Sequence, residues 1–163
     1  MKKSLSEKEL KFISKLELRQ KYFFTRDDIR DNFTNDNEMN VYLHRLKEKG
    51  RIIKLNQSKY FLIPVKAIGS KWSEHPFIII DEMMGGKDYC IVGKAAAHYW
   101  GLIDQIPFEY AVFTPRRHGV VEIFSSRIRF YKRRLKNFPA TTSKKVQNHP
   151  FIIATKRESE QWI

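Results

Sequence analysis

Between Asn35 and Gly50 the expected exposed face displays amide, imidazole and guanidinium groups at Asn37, Asn40, His44 and Arg45, with Lys47 beside them and Val41 among them. An ordinary solvent-facing helix carries a Glu/Lys mixture instead. Amide and guanidinium groups match the donors and acceptors of base edges in a major groove, and the Val41 methyls suit a thymine methyl. On a 3.6-residue wheel Met39, Tyr42, Leu43 and Leu46 share one side. Asn37, Val41, His44 and Glu48 fall opposite, flanked by Asn40, Arg45 and Lys47. Just downstream, Lys54, Gln57, Ser58 and Lys59 surround a turn and suit phosphate contacts. A second run, Arg127, Arg129, Lys132, Arg133, Arg134 and Lys136, contains no acid from 127 to 136. It fits a phosphate backbone or an acidic protein, and equally a solvated strand edge where cations deter aggregation.

Catalytic constellations are not legible. The chain has no P-loop, no GxGxxG and no HExxH. His44, His75, His98, His118 and His149 lack partners at metal-ligand spacing, and Cys90 lacks a sequence-adjacent base. Asp81, Glu82, Asp88 and Glu122 show no acid–x–Lys arrangement on a strand, as a Mg²⁺ nuclease would want. The expectation is a protein that is not an enzyme and needs no cofactor or metal.

Charge gives the partner class. The 163 residues hold 31 Lys plus Arg against 18 Asp plus Glu, a net +13, which makes polyanions the expected partners. With 42% hydrophobic residues the chain can build a core, so global disorder is excluded. No apolar run approaches the ~18 to 20 residues of a bilayer span. The opening MKKSLSEKEL lacks the apolar stretch of a secretory signal, and a single cysteine excludes an internal disulfide. The expected location is cytoplasmic, with no membrane partner.

The elements that must position these groups divide near PVKAIGSKWSEHP, residues 64–76, a proline-, glycine- and serine-bearing connection. We expect units at 1–65 and 66–163, carrying 15 and 16 basic against 9 and 9 acidic residues. In the first, Ser6 and Glu9 form a capping box for a helix over 6–20 with Leu10, Ile13 and Leu16 as its stripe and Phe12 alongside. Thr25 caps a short second helix ending near Phe33, and Asn35 with Glu38 opens a third over 35–49, closed by Gly50. RIIKLNQSKYFLIP then alternates as a hairpin, with Ile53, Leu55, Tyr60 and Leu62 inward or cross-strand and Lys54 and Lys59 outward. Three helices and a basic hairpin predict a winged helix-turn-helix. In the second unit, PFIIID (76–81) reads as a strand, YCIVG (89–93) as a strand or the approach to a helix, and GKAAAHYWGL (93–102) as a buried helix. The runs 109–114, 119–124 and 127–132 read as an antiparallel meander, followed by a strand at 150–155. The fold class is α+β: a winged helix-turn-helix, then a small α+β domain with a mostly antiparallel sheet.

Motif order also resembles a known family. KGRIIKLNQSKYFL (49–62), IVGKAAAHYWGLIDQIP (91–107) and VFTPRR (112–117) resemble the AbiEi-type antitoxins of abortive-infection, phage-defence toxin–antitoxin systems. The resemblance covers most of the chain. It implies a DNA-binding N-terminal domain acting on operator repeats of its own promoter. It further implies a C-terminal domain needed for antitoxin function and a nucleotidyltransferase-like toxin as system partner, antagonised without a stable complex. By motif position, Asn37, Asn40, Val41, His44 and Arg45 would lie in the recognition helix and Lys54, Gln57, Ser58 and Lys59 in the wing. Family members commonly continue through a longer helical C-terminus, whereas this chain stops at Ile163, as a short variant or a fragment would.

The expectation is thus a sequence-specific repressor of double-stranded DNA, with homodimer formation left open. Two rivals stand beside it. One is a protein-interaction module whose basic second unit binds an acidic partner such as a toxin. The other is an RNA binder stacking bases on Phe130 and Tyr131.

Overall fold

The computed structural model describes residues 4–64 and 73–163. Residues 65–72, most of the expected connection, lie outside them. The chain falls into two compact units, Met1–Trp72 and Ser73–Ile163. It is a mixed α and β protein.

In the first unit the helices are α1 (Glu7–Leu18), a short α2 (Arg26–Ile29) continued by a 3-10 turn at Arg30–Asn32, and α3 (Asp36–Glu48). Strands β1 (Phe23–Thr25), β2 (Ile52–Lys54) and β3 (Lys59–Leu62) form an antiparallel sheet in the order β1-β3-β2. Capping boxes open α1 at Ser6/Glu9 and α2 at Thr25/Asp28. The buried stripe of α1 is Glu9, Phe12, Ile13 and Leu16, a clean i, i+3, i+4, i+7 series; Leu10, expected inside, is exposed. Glu9 replaces it because Lys49 reaches in to pair with it. In the hairpin Ile52, Tyr60 and Leu62 enter the core, while Ile53, expected inward or cross-strand, is half-buried opposite Phe61 on the neighbouring strand. Phe24 and Tyr60 stack across the sheet beneath Phe12.

The second unit holds α4 (Pro76–Met84), β4 (Cys90–Val92), α5 (Gly93–Tyr99), β5 (Tyr110–Thr114), β6 (Gly119–Ile123), β7 (Ser126–Lys132), β8 (Thr141–Val146), β9 (His149–Ala154) and a short α6 (Lys156–Ser159). The run expected as a strand at 76–81 is helical. Pro76 begins the helix, the His75 ring accepts from the Phe77 amide, and Gly85 closes it at φ +70°. A short apolar run is ambiguous by periodicity, and near-complete burial of α4 from Phe77 to Met84 explains its lack of a polar face.

The sheet has the order β6-β7-β5-β4-β9-β8, and three of its five pairings are antiparallel, as expected, while β5–β7 and β4–β9 are parallel. The expected meander is overturned: β7 lies between its two partners and pairs with β5 in parallel. Burial favours this order. Ile128 and Phe130 of β7 join Val112 of β5 in the interior, leaving β6, with exposed Val120 and Glu122, as the edge. The opposite edge, β8, was not anticipated; its TTSKKV sequence is polar, with Lys144 and Lys145 exposed in the manner of a defended edge. Between β4 and α5 the chain turns at Gly93, φ +72°, where a Cβ would stand 3.3 Å from that of Ala111. Helix α5 ends at Tyr99, short of the expected Leu102, and the Trp100 indole donates to the Ala154 carbonyl.

Candidate nucleic-acid interface

Local chemistry fixes the orientation of α3. Its N-cap Asn35 accepts from the Glu38 amide at 2.9 Å, and the Glu38 carboxylate accepts from the Thr34 amide. At the other end Gly50, φ +71°, donates to Lys47 O while Arg51 donates to Leu46 O, the paired bonds of a Schellman closure. Met39, Leu43 and Leu46 are buried in the core shared with α1, α2 and the sheet, which turns Asn37, Val41, His44 and Glu48 outward. Asn37, Asn40, Val41, His44, Arg45 and Lys47 are all exposed, as the wheel expects.

Their neighbours differ. Asn40 presents its carbonyl to the Arg26 guanidinium of α2, so one of the expected base readers is held within the protein. The His44 ring lies 3.3 Å from Glu48. Arg45 and Lys47 have no carboxylate partner among the described residues. Acids gather instead at the first turn of α3: Asp36 takes Arg30, which also binds Asp27, and Glu38 faces Lys8 at 3.8 Å. The positive part of the helix is therefore its second half. Arg26, which sequence reading passed over, lies beside that helix; its contact to Asn40 spans 14 residues and leaves no periodic signal.

The hairpin turn is an Asx turn in which the Asn56 side chain accepts from the Ser58 and Lys59 amides, both at 2.9 Å. Ser58 O in turn accepts from the Arg26 amide at 3.1 Å, tying the turn to the start of α2. Lys54, Gln57 and Ser58 are exposed and Lys59 is half-buried.

The second basic run comes apart in three dimensions. Glu109 receives Arg129 at 2.7 Å and Arg127 at 3.0 Å, and Arg127 also meets Glu122 at 3.3 Å. Hydrogen bonds from Arg129, then its charge and those of Arg127, outweigh burial and hold the Glu109 carboxyl below the ordinary carboxylate range. Arg133 lies over the Phe113 ring at 4.0 Å. Only Lys132, Arg134 and Lys136 of the six stand exposed with neither kind of partner among the described residues. Phe130 is fully buried, so it offers no stacking platform for a base.

Sequence reading missed one polar cluster. Buried Asp81 accepts from the Tyr89 hydroxyl at 2.7 Å and meets His149 Nε2 at 2.9 Å, and the Tyr89 oxygen accepts from the Ile152 amide. It ties α4 to β9 across 68 residues, so no local spacing could reveal it. Among the described residues no three His, Cys, Asp or Glu gather as a metal site, and no helix is long and apolar enough to cross a membrane.

No protein-family model matches this chain, and no curated protein matches it in sequence.

Proposed function

We propose that the first unit is a winged helix-turn-helix that binds double-stranded DNA, with α3 in the major groove and the β2–β3 turn as the wing, and that the protein is a sequence-specific transcriptional repressor. The observation that carries this reading is the second half of α3. There Arg45 and Lys47 are exposed with Val41 and His44, on a helix whose opposite side is anchored by Met39, Leu43 and Leu46. Arg45 suits bidentate contact with guanine, and Lys47, Lys54 and Lys59 suit phosphates. Arg26 links the wing turn and Asn40, which supports α2, α3 and the wing docking as one body. The narrower proposal is an AbiEi-type antitoxin repressing its own toxin–antitoxin operon. It is supported by the sequence resemblance at 91–107 and pairs with a nucleotidyltransferase-like toxin encoded next to it.

A second reading draws on the second unit. Ile106 and Phe108 are 76% and 83% exposed, and Lys132, Arg134 and Lys136 have no carboxylate partner among the described residues, features suited to an acidic protein partner. A gel shift on the DNA upstream of the protein's own reading frame, with a scrambled duplex as control, separates the two. Preference for the upstream duplex supports the repressor. Equal, salt-sensitive binding to both contradicts sequence-specific reading.

A further inference from the structure

The contact between Arg26 and Asn40 joins α2 to α3, and chemistry fixes its direction. A guanidinium carries N–H donors and no acceptor, so it holds only the carbonyl half of an amide. Arg26 donates to Asn40 Oδ1. The amide is planar, so with its oxygen drawn toward α2 its nitrogen, bearing two N–H groups, faces the other way. Asn40 is exposed, and its Nδ2 has no partner among the described residues.

Arg26 is placed by its own backbone. It is half-buried at the start of α2, its amide donates to Ser58 O at 3.1 Å, and Thr25 just before it caps the helix. It has no carboxylate partner among the described residues, so no acid competes with Asn40 for the guanidinium. A free asparagine offers a donor and an acceptor side by side, the pattern that pairs bidentately with adenine N6 and N7. With its oxygen taken, Asn40 offers donors alone. Guanine sets two acceptors, N7 and O6, in the major groove, and thymine sets one, O4. Adenine and cytosine each set an amino group there, which opposes the Asn40 donors.

From this arrangement, and resting on the duplex reading of α3, we infer that Asn40 selects guanine and that Arg26 is the positioning residue that sets this choice by holding the carbonyl oxygen. The remaining N–H groups of Arg26 are donors for the neighbouring phosphate. One side chain thus contacts the backbone and decides which base its neighbour accepts.

The test begins by selecting a preferred duplex from a random library with the full wild-type chain. Asn40→Ala then marks the base pair it relaxes, and affinities are measured for the four duplexes that differ there. Wild type should bind guanine about tenfold more tightly than adenine, with thymine between them. Arg26→Met keeps an aliphatic stem and removes the donors. Once released, the Asn40 amide can present both its groups, so adenine should rise to equal or exceed guanine. Loss of a phosphate contact alone would weaken all four duplexes alike, and lower salt restores a measurable range. Arg26→Lys still donates to the carbonyl and should keep the guanine preference. Three results would overturn the inference while leaving duplex binding by α3 intact: adenine favoured by wild type, an unchanged guanine preference in Arg26→Met, or no base pair relaxed by Asn40→Ala. A wild-type chain that selects no duplex would overturn both readings.

Discussion

The second half of α3 and the strand β7 are both rich in basic side chains along the sequence, yet their surroundings make them different surfaces. In β7, Arg127 and Arg129 are met across the sheet by Glu109 and Glu122, and just beyond the strand Arg133 is spread over Phe113. In α3 Asp36 and Glu38 of the first turn take Arg30 and Lys8 and Glu48 lies by His44, so among the described residues Arg45 and Lys47 meet no carboxylate. A run of cations is therefore not a positive surface until its cross-strand neighbours are counted. A free cation gains affinity by displacing the counterions condensed on duplex phosphates, and arginines already paired with carboxylates have little to give.

The largest effect should come from the support beneath α3. Lys49 and Glu9 form an ion pair with side chains only 14% and 7% exposed. Lys49→Met leaves a buried carboxylate unmatched and should cost about 3 kcal/mol or more of stability in denaturant unfolding. Unchanged stability would refute that role. The pH dependence has a definite sign. Because the folded-state Glu9 carboxyl is held low, the pair contributes fully above the unfolded carboxylate value. That contribution disappears as pH falls through the lower folded value. Acid titration of wild type against Lys49→Met should show the two stabilities converging at the acid end.

Next in size, Arg45→Ala should cost roughly 1–3 kcal/mol on a selected duplex and relax specificity at one base pair. Smaller again is the unmasking of β7. Glu109→Gln releases Arg129 and leaves Arg127 on Glu122 alone, and the salt dependence of binding to random duplex should steepen by about one phosphate contact. A slope that stays put would show that β7 lies away from the DNA. Smallest is Lys54→Ala, which should weaken all duplexes alike and lower the salt slope by about one.

Most of the first unit was legible because its signals are local. Caps at Ser6, Thr25 and Asn35, the wheel of α3 and the Gly50 closure each lie within a few residues of what they control. The second unit was less so. An all-round buried helix such as α4 has no polar face to announce its period, and the parallel register of β5 with β7 depends on which strand buries more apolar surface. The candidate site divides the same way. Exposure of Asn37, Val41, His44, Arg45 and Lys47 follows from spacing, whereas the Arg26–Asn40 contact and the capture of Arg127 and Arg129 by Glu109 are tertiary.

The central claim is that α3 and not β7 meets the duplex. Arg45→Ala and Arg129→Ala, titrated side by side on one selected duplex at one salt concentration, test it most directly. The account predicts roughly tenfold or greater loss for Arg45→Ala and wild-type affinity for Arg129→Ala. The reverse ranking would contradict it.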